Sequence, residues 1–65
     1  MSVDSETAER YRVHAEELRI IAAEAGSVAI SRALLKIADD YDRMAASLEA
    51  IDRSNAAIHE KLNKP

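Results

Sequence analysis

Two groupings in this chain carry side chains of the kind that do chemistry. His14 and Glu17 stand three residues apart, with Glu24 farther along. An imidazole and a carboxylate on one helical face are the raw material of a metal site. Asp39, Asp40 and Asp42 crowd around Tyr41, and paired carboxylates bind divalent cations or act as acid–base groups. Neither grouping completes a site. Di-iron helical bundles use Glu-x-x-His, which is the reverse order, and use it twice. His59-Glu60 does not supply the second copy, because adjacent residues on a helix point apart. In the acidic cluster, residues 39 and 42 share a side while residue 40 lies away, and Lys36 and Arg43 are placed to neutralise them. The expectation is a salt-bridged or flanking histidine and a solvated acidic face. No catalytic residue, metal ligand or cofactor is predicted, and the chain is expected not to be an enzyme, since a short hairpin offers no ligand pocket of ordinary size.

The element that must carry these side chains announces itself by its period. Ile30, Leu34, Ile37, Tyr41, Met44, Leu48, Ile51, Asn55, Ile58 and Leu62 alternate in steps of four and three. This is the 3.5-residue repeat of a helix packed along its length against other helices. Leu34, Tyr41, Leu48, Asn55 and Leu62 take position a; Ile30, Ile37, Met44, Ile51 and Ile58 take position d. An earlier and narrower stripe, Ala8, Tyr11, Ala15, Leu18, Ala22 and Ala25, marks a first helix, with His14 and Ile21 beside it. A stripe made mostly of alanine lets a partner helix come close.

Composition agrees with an all-helical chain. Of 65 residues one is Gly and one Pro, and charged residues make up 32%. There is no Cys, so no disulfide or thiolate metal site is available to hold the fold. The net charge of −3, with Arg10, Arg12, Arg19, Arg32, Lys36 and Arg43 scattered among acids, disfavours a nucleic-acid groove. No apolar run is long enough to span a membrane. The acidic, polar start from Met1 to Glu6 does not read as a signal peptide, so a cytoplasmic location is expected.

The predicted organisation is a leader at 1–4, a helical hairpin over 5–53 and an extension or frayed tail at 54–65. Asp4 or Ser5 serves as the first N-cap. The reversal falls at Gly26-Ser27, where the lone glycine fits a left-handed C-terminal cap and Ser27 caps the next helix. The competing arrangement is one long bent helix. Expected ion pairs four apart are Lys36–Asp40, Asp39–Arg43, Glu49–Arg53, Glu6–Arg10 and Arg12–Glu16. The expected intrachain core is Tyr11, Leu18, Ile21, Leu34, Ile37, Tyr41, Met44 and Leu48, with the Tyr41 hydroxyl meeting Arg12, Arg19 or water.

A hairpin of this size leaves apolar surface over. Val13 and Ile20 stack on the side of the first helix opposite Tyr11 and Leu18. Ile51, Asn55, Ile58 and Leu62 extend past the shorter first helix. These six residues are the predicted oligomer interface. Asn55 sets register there by pairing with its symmetry mate, or is a solvated terminal residue if the helix has already ended, since Ser54-Asn55 is a common turn pair. The expected assembly is a homodimer, a four-helix bundle or coiled coil.

Two blocks of the sequence also resemble a known group. Tyr11-Arg12, Ala15-Glu16-Glu17-Leu18-Arg19 and the stretch from Leu34 through Tyr41-Asp42-Arg43-Met44-Ala45 are similar to short, uncharacterised helical-hairpin proteins of alphaproteobacteria. Their pattern reads Y-R-x-x-A-x-E-L-R, a gap, then L-L-x-I-A-x-x-Y-D-R-(L/M)-A. The resemblance implies a helical hairpin and no activity, and the segment after Ile51 lies outside it. The functional expectation is a small helical protein that self-associates and binds a partner protein in a regulatory or adaptor role. The alternatives are a purely structural assembly unit and an acidic nucleic-acid-associated or mimic protein.

Overall fold

The computed structural model describes residues 3–63. It consists of two antiparallel α-helices, α1 (Val3–Glu24) and α2 (Val28–Asn63), packed against each other. Val3 and Asp4 belong to α1, with Asp4 and Glu6 in its first turn, where carboxylates suit the helix dipole. Met1 and Ser2 of the expected leader lie outside the described residues. Thr7 Oγ1 donates a hydrogen bond of 2.9 Å to the Val3 carbonyl. α2 runs unbroken through Asp52-Arg53-Ser54-Asn55.

The connection is short. The Ala25 amide donates to the Ala22 carbonyl at 3.3 Å, a tight closing turn for α1. The Ser27 hydroxyl accepts from the Ile30 amide at 3.3 Å, as an N-cap should, and the Ser27 carbonyl accepts from Ser31. Gly26 does not adopt the expected left-handed conformation; no glycine among the described residues has positive φ. A Cβ placed on Gly26 meets nothing within 4 Å. The glycine therefore adds freedom to the unfolded chain without serving the fold. Gly26→Ala is expected to raise stability by ~0.4–1 kcal/mol, seen as a higher urea midpoint. A loss of that size would show that the turn needs glycine.

The core corrects the expectation drawn from size. The fully buried hydrophobic residues are Ala8, Ala15, Ala22, Ala38 and Ala45. Tyr11, Leu18, Leu34, Tyr41 and Leu48 of the expected core are half-buried, and Ile21, Ile37 and Met44 are exposed. On α1 the alanine stripe packs inward as its spacing indicates. On α2 the inward stripe is rotated by about one residue. Ser31, Leu34, Ala38, Tyr41, Ala45, Leu48 and Asp52 turn toward α1, so Ile30, Ile37, Met44 and Ile51 fall beside the seam. Small side chains facing small side chains let the backbones come close, which a row of isoleucines at the same positions would prevent. From Arg53 through Leu62 every residue is exposed, because α1 has 22 residues and α2 has 36.

Candidate interaction surface

The two long edges of the hairpin have opposite chemistry. Along one edge, arginines of α1 reach acids of α2. Arg12 pairs with Glu49, and its other terminal nitrogen lies 3.9 Å from Asp42. Arg19 pairs with Asp42 and, at 3.2 Å, with Asp39. The hydrogen bond from Arg19 to Asp42, followed by that to Asp39, raises the Arg19 pKa above its ordinary value, while desolvation opposes the shift. A cation whose pKa is raised on folding contributes stability below its ordinary pKa and loses it only as pH climbs past the raised one. For arginine that window is strongly alkaline, so this half of the clamp persists at any ordinary pH.

These pairs replace the expected ones. Arg12 reaches across to Glu49 where pairing with Glu16 was predicted, and Asp39 meets Arg19 where Arg43 was predicted. Arg43 stands 3.7 Å from Asp40, one turn away on the same helix. The acidic cluster is thus neutralised mainly from α1. Its signature is visible in retrospect: Arg12 and Arg19 are seven residues apart, as are Asp42 and Glu49. Matched heptad spacings of opposite charge on two antiparallel helices produce a ladder. All partners are part-exposed, so a double-mutant cycle of Arg12→Ala and Glu49→Ala should return a coupling of ~0.2–1 kcal/mol at low salt, vanishing in molar salt. Zero coupling at low salt would remove the clamp from the account of the fold.

The other edge is apolar and aromatic. Tyr41 does not turn to the arginines. Its ring lies against Tyr11, with centroids 5.5 Å apart and a 44° tilt, and against His14 at 5.7 Å. Thr7, Tyr11, Arg43, Met44, Ser47 and Leu48 line an open hollow on this side. Around it, Ile30, Ile37, Met44, Ile51 and Ile58 follow one another at sevens along α2, each between 42% and 57% exposed. Ile21 of α1, 53% exposed, flanks the same edge near the turn. Residues at sevens share a helical side, so the row predicted from the sequence exists as a continuous stripe. It lies beside α1, not beneath it.

Of the expected contact residues, Ile51, Asn55, Ile58 and Leu62 continue that stripe, and all are exposed. Val13 and Ile20 are also exposed, two positions on from Tyr11 and Leu18 and therefore on the outer side of α1. His14 Nδ1 lies 3.7 Å from Glu17, the salt-bridged arrangement considered above. Among the described residues no group of three or more His, Cys, Asp or Glu side chains is placed to hold a metal ion. No described helix is long and apolar enough to cross a membrane.

Comparison with protein-family models, with curated proteins and with solved structures gives no match for this chain.

Proposed function

We propose that this chain is a cytoplasmic, non-enzymatic assembly module, in which two hairpins join through the apolar edge into a four-helix bundle that engages a partner protein in a regulatory or adaptor role. The observation that carries the self-association is the exposed stripe Ile30, Ile37, Met44, Ile51 and Ile58 running the length of α2 beside the tyrosine stack.

Surface area supports it. A compact monomer of 7.2 kDa exposes about 4,100 Å², whereas this hairpin exposes 5086 Å². The excess is close to the ~800 Å² that each partner buries in an interface of standard size. Its radius of gyration is 16.3 Å, against about 11 Å for a compact domain of this length. Such a chain has no large side chain fully buried among the described residues. A second copy supplies what is missing. Val13 and Ile20, expected from the sequence at the oligomer interface, are exposed on the far side of α1 from this stripe. In this arrangement they are left to the partner protein, which supports an adaptor over a purely structural unit.

Sedimentation equilibrium over a range of concentrations is the direct test. The expected species has twice the mass of the chain, with a melting temperature that rises with protein concentration. A species of chain mass and a concentration-independent melt would refute the module.

A further inference from the structure

We propose that the second copy packs antiparallel, with the two-fold axis between Met44 and Leu48, so that the overhang of each α2 covers the turn end of the other hairpin. This deepens the self-association reading and rests on it.

The stripe runs from Ile30 to Leu62, while α1 accompanies α2 only to about Asp52. Two hairpins aligned in parallel would pair the overhangs only with each other, with no α1 beside them, and would leave Ile21 near the turn of each hairpin uncovered. Ile58 is 54% and Leu62 77% exposed in the single chain. Antiparallel pairing about the middle of the stripe uses all of it. Ile30 then faces Leu62 of the second copy, Leu34 faces Ile58, Tyr41 faces Ile51, and Met44 faces Leu48. The overhang lies against the turn end of the other hairpin, where Ile21, Ile30 and Ile37 are exposed. One juxtaposition thus covers two patches that a single chain leaves open.

Charge points the same way. α1 has no basic residue in its last turn and ends on Glu24, an acid at the negative end of the helix dipole. The overhang carries Arg53 and, in the last turn of α2, Lys61. The antiparallel register brings Lys61 of the second copy to the height of Glu24. A parallel register would instead set each overhang cation beside its own copy.

The chain contains no cysteine, so introduced thiols report alone. In this register Asn55 faces Ile37 in place of its expected symmetry mate, so Asn55→Cys and Ile37→Cys face one another. Two copies of Asn55→Cys stand roughly 27 Å apart in that register, far beyond disulfide reach. Under mild oxidation, an equimolar mixture of the two variants should give covalent dimer in high yield, and Asn55→Cys alone should give almost none. Linking of Asn55→Cys to itself would overturn the antiparallel register and leave a parallel dimer, with self-association intact. Failure of every combination to link, together with sedimentation at chain mass, would overturn self-association itself. A second pair guards against a misfolded cysteine variant: Glu24→Lys should weaken dimerisation a few-fold, and Lys61→Glu in the same chain should restore it. No change in dimer affinity from Glu24→Lys would count against the register.

Discussion

Ala15→Leu is expected to cost ~1–3 kcal/mol of stability, and Ala38→Leu the same, each seen as a large drop in urea midpoint at fixed protein concentration. Both alanines are 0% exposed and lie on the facing stripes of the two helices. Three added carbons have no space between backbones held at alanine distance. The helices must move apart, and movement breaks contacts that depend on that distance: Arg12 to Glu49, Arg19 to Asp42, and the Tyr11–Tyr41 ring pair at 5.5 Å. For a chain with only five fully buried hydrophobic residues among those described, such a loss is a large part of the total. The comparison variant is Ala46→Leu, at an exposed position one residue on from buried Ala45, which should change the midpoint little. A midpoint unmoved by Ala15→Leu would mean that the helices do not meet through their alanines. Leu34→Ala and Leu48→Ala probe something else. Both residues are mostly covered by α1 within one hairpin, so most of their truncation cost should appear in the hairpin itself, with only the remainder coming through the proposed dimer.

Met44→Glu should separate assembly from helix pairing. Met44 is 42% exposed in the single chain and borders the tyrosine hollow, so a glutamate there meets no steric obstacle in the hairpin. In the proposed dimer it places a carboxylate beside its own copy at the two-fold. Met44 is already more than half covered in the hairpin, so the dimer loses only ~0.6–1.3 kcal/mol of burial per copy, roughly tenfold to seventyfold in affinity before the charge is counted. The expected outcome is a species of chain mass and a melting temperature that is lower and no longer depends on concentration. Val13→Glu, on the outer side of α1, should leave dimer affinity unchanged. If Val13→Glu dissociates the protein and Met44→Glu does not, the interface lies on the back of α1.

Much of the architecture is legible in the residues themselves. Interior helix breakers are confined to Gly26, and Ser27 follows as a capping residue, so a break there is legible from local chemistry. The choice between a reversal and one long bent helix is made by the packing of the two stripes. The alanine stripe of α1 is also legible, because Ala8, Ala15 and Ala22 stand at sevens with Tyr11 and Leu18 between them. The length difference between the helices follows from the position of the turn.

What the sequence does not determine is which of two adjacent stripes on α2 faces α1. Leu34, Tyr41 and Leu48 belong to both. Hydrophobicity favours completing them with Ile37 and Met44, whereas the fold completes them with Ala38 and Ala45. The choice depends on the distance between two backbones, and distance is a property of the pair of helices, not of either one. Close approach rewards alanine against alanine, and the arginine ladder on one edge and the tyrosine stack on the other hold that rotation. The larger residues are turned outward as a consequence. The heptad period read from the chain was therefore real, but only the tertiary structure decided that it lies beside the intrachain seam, where it remains open to a second copy.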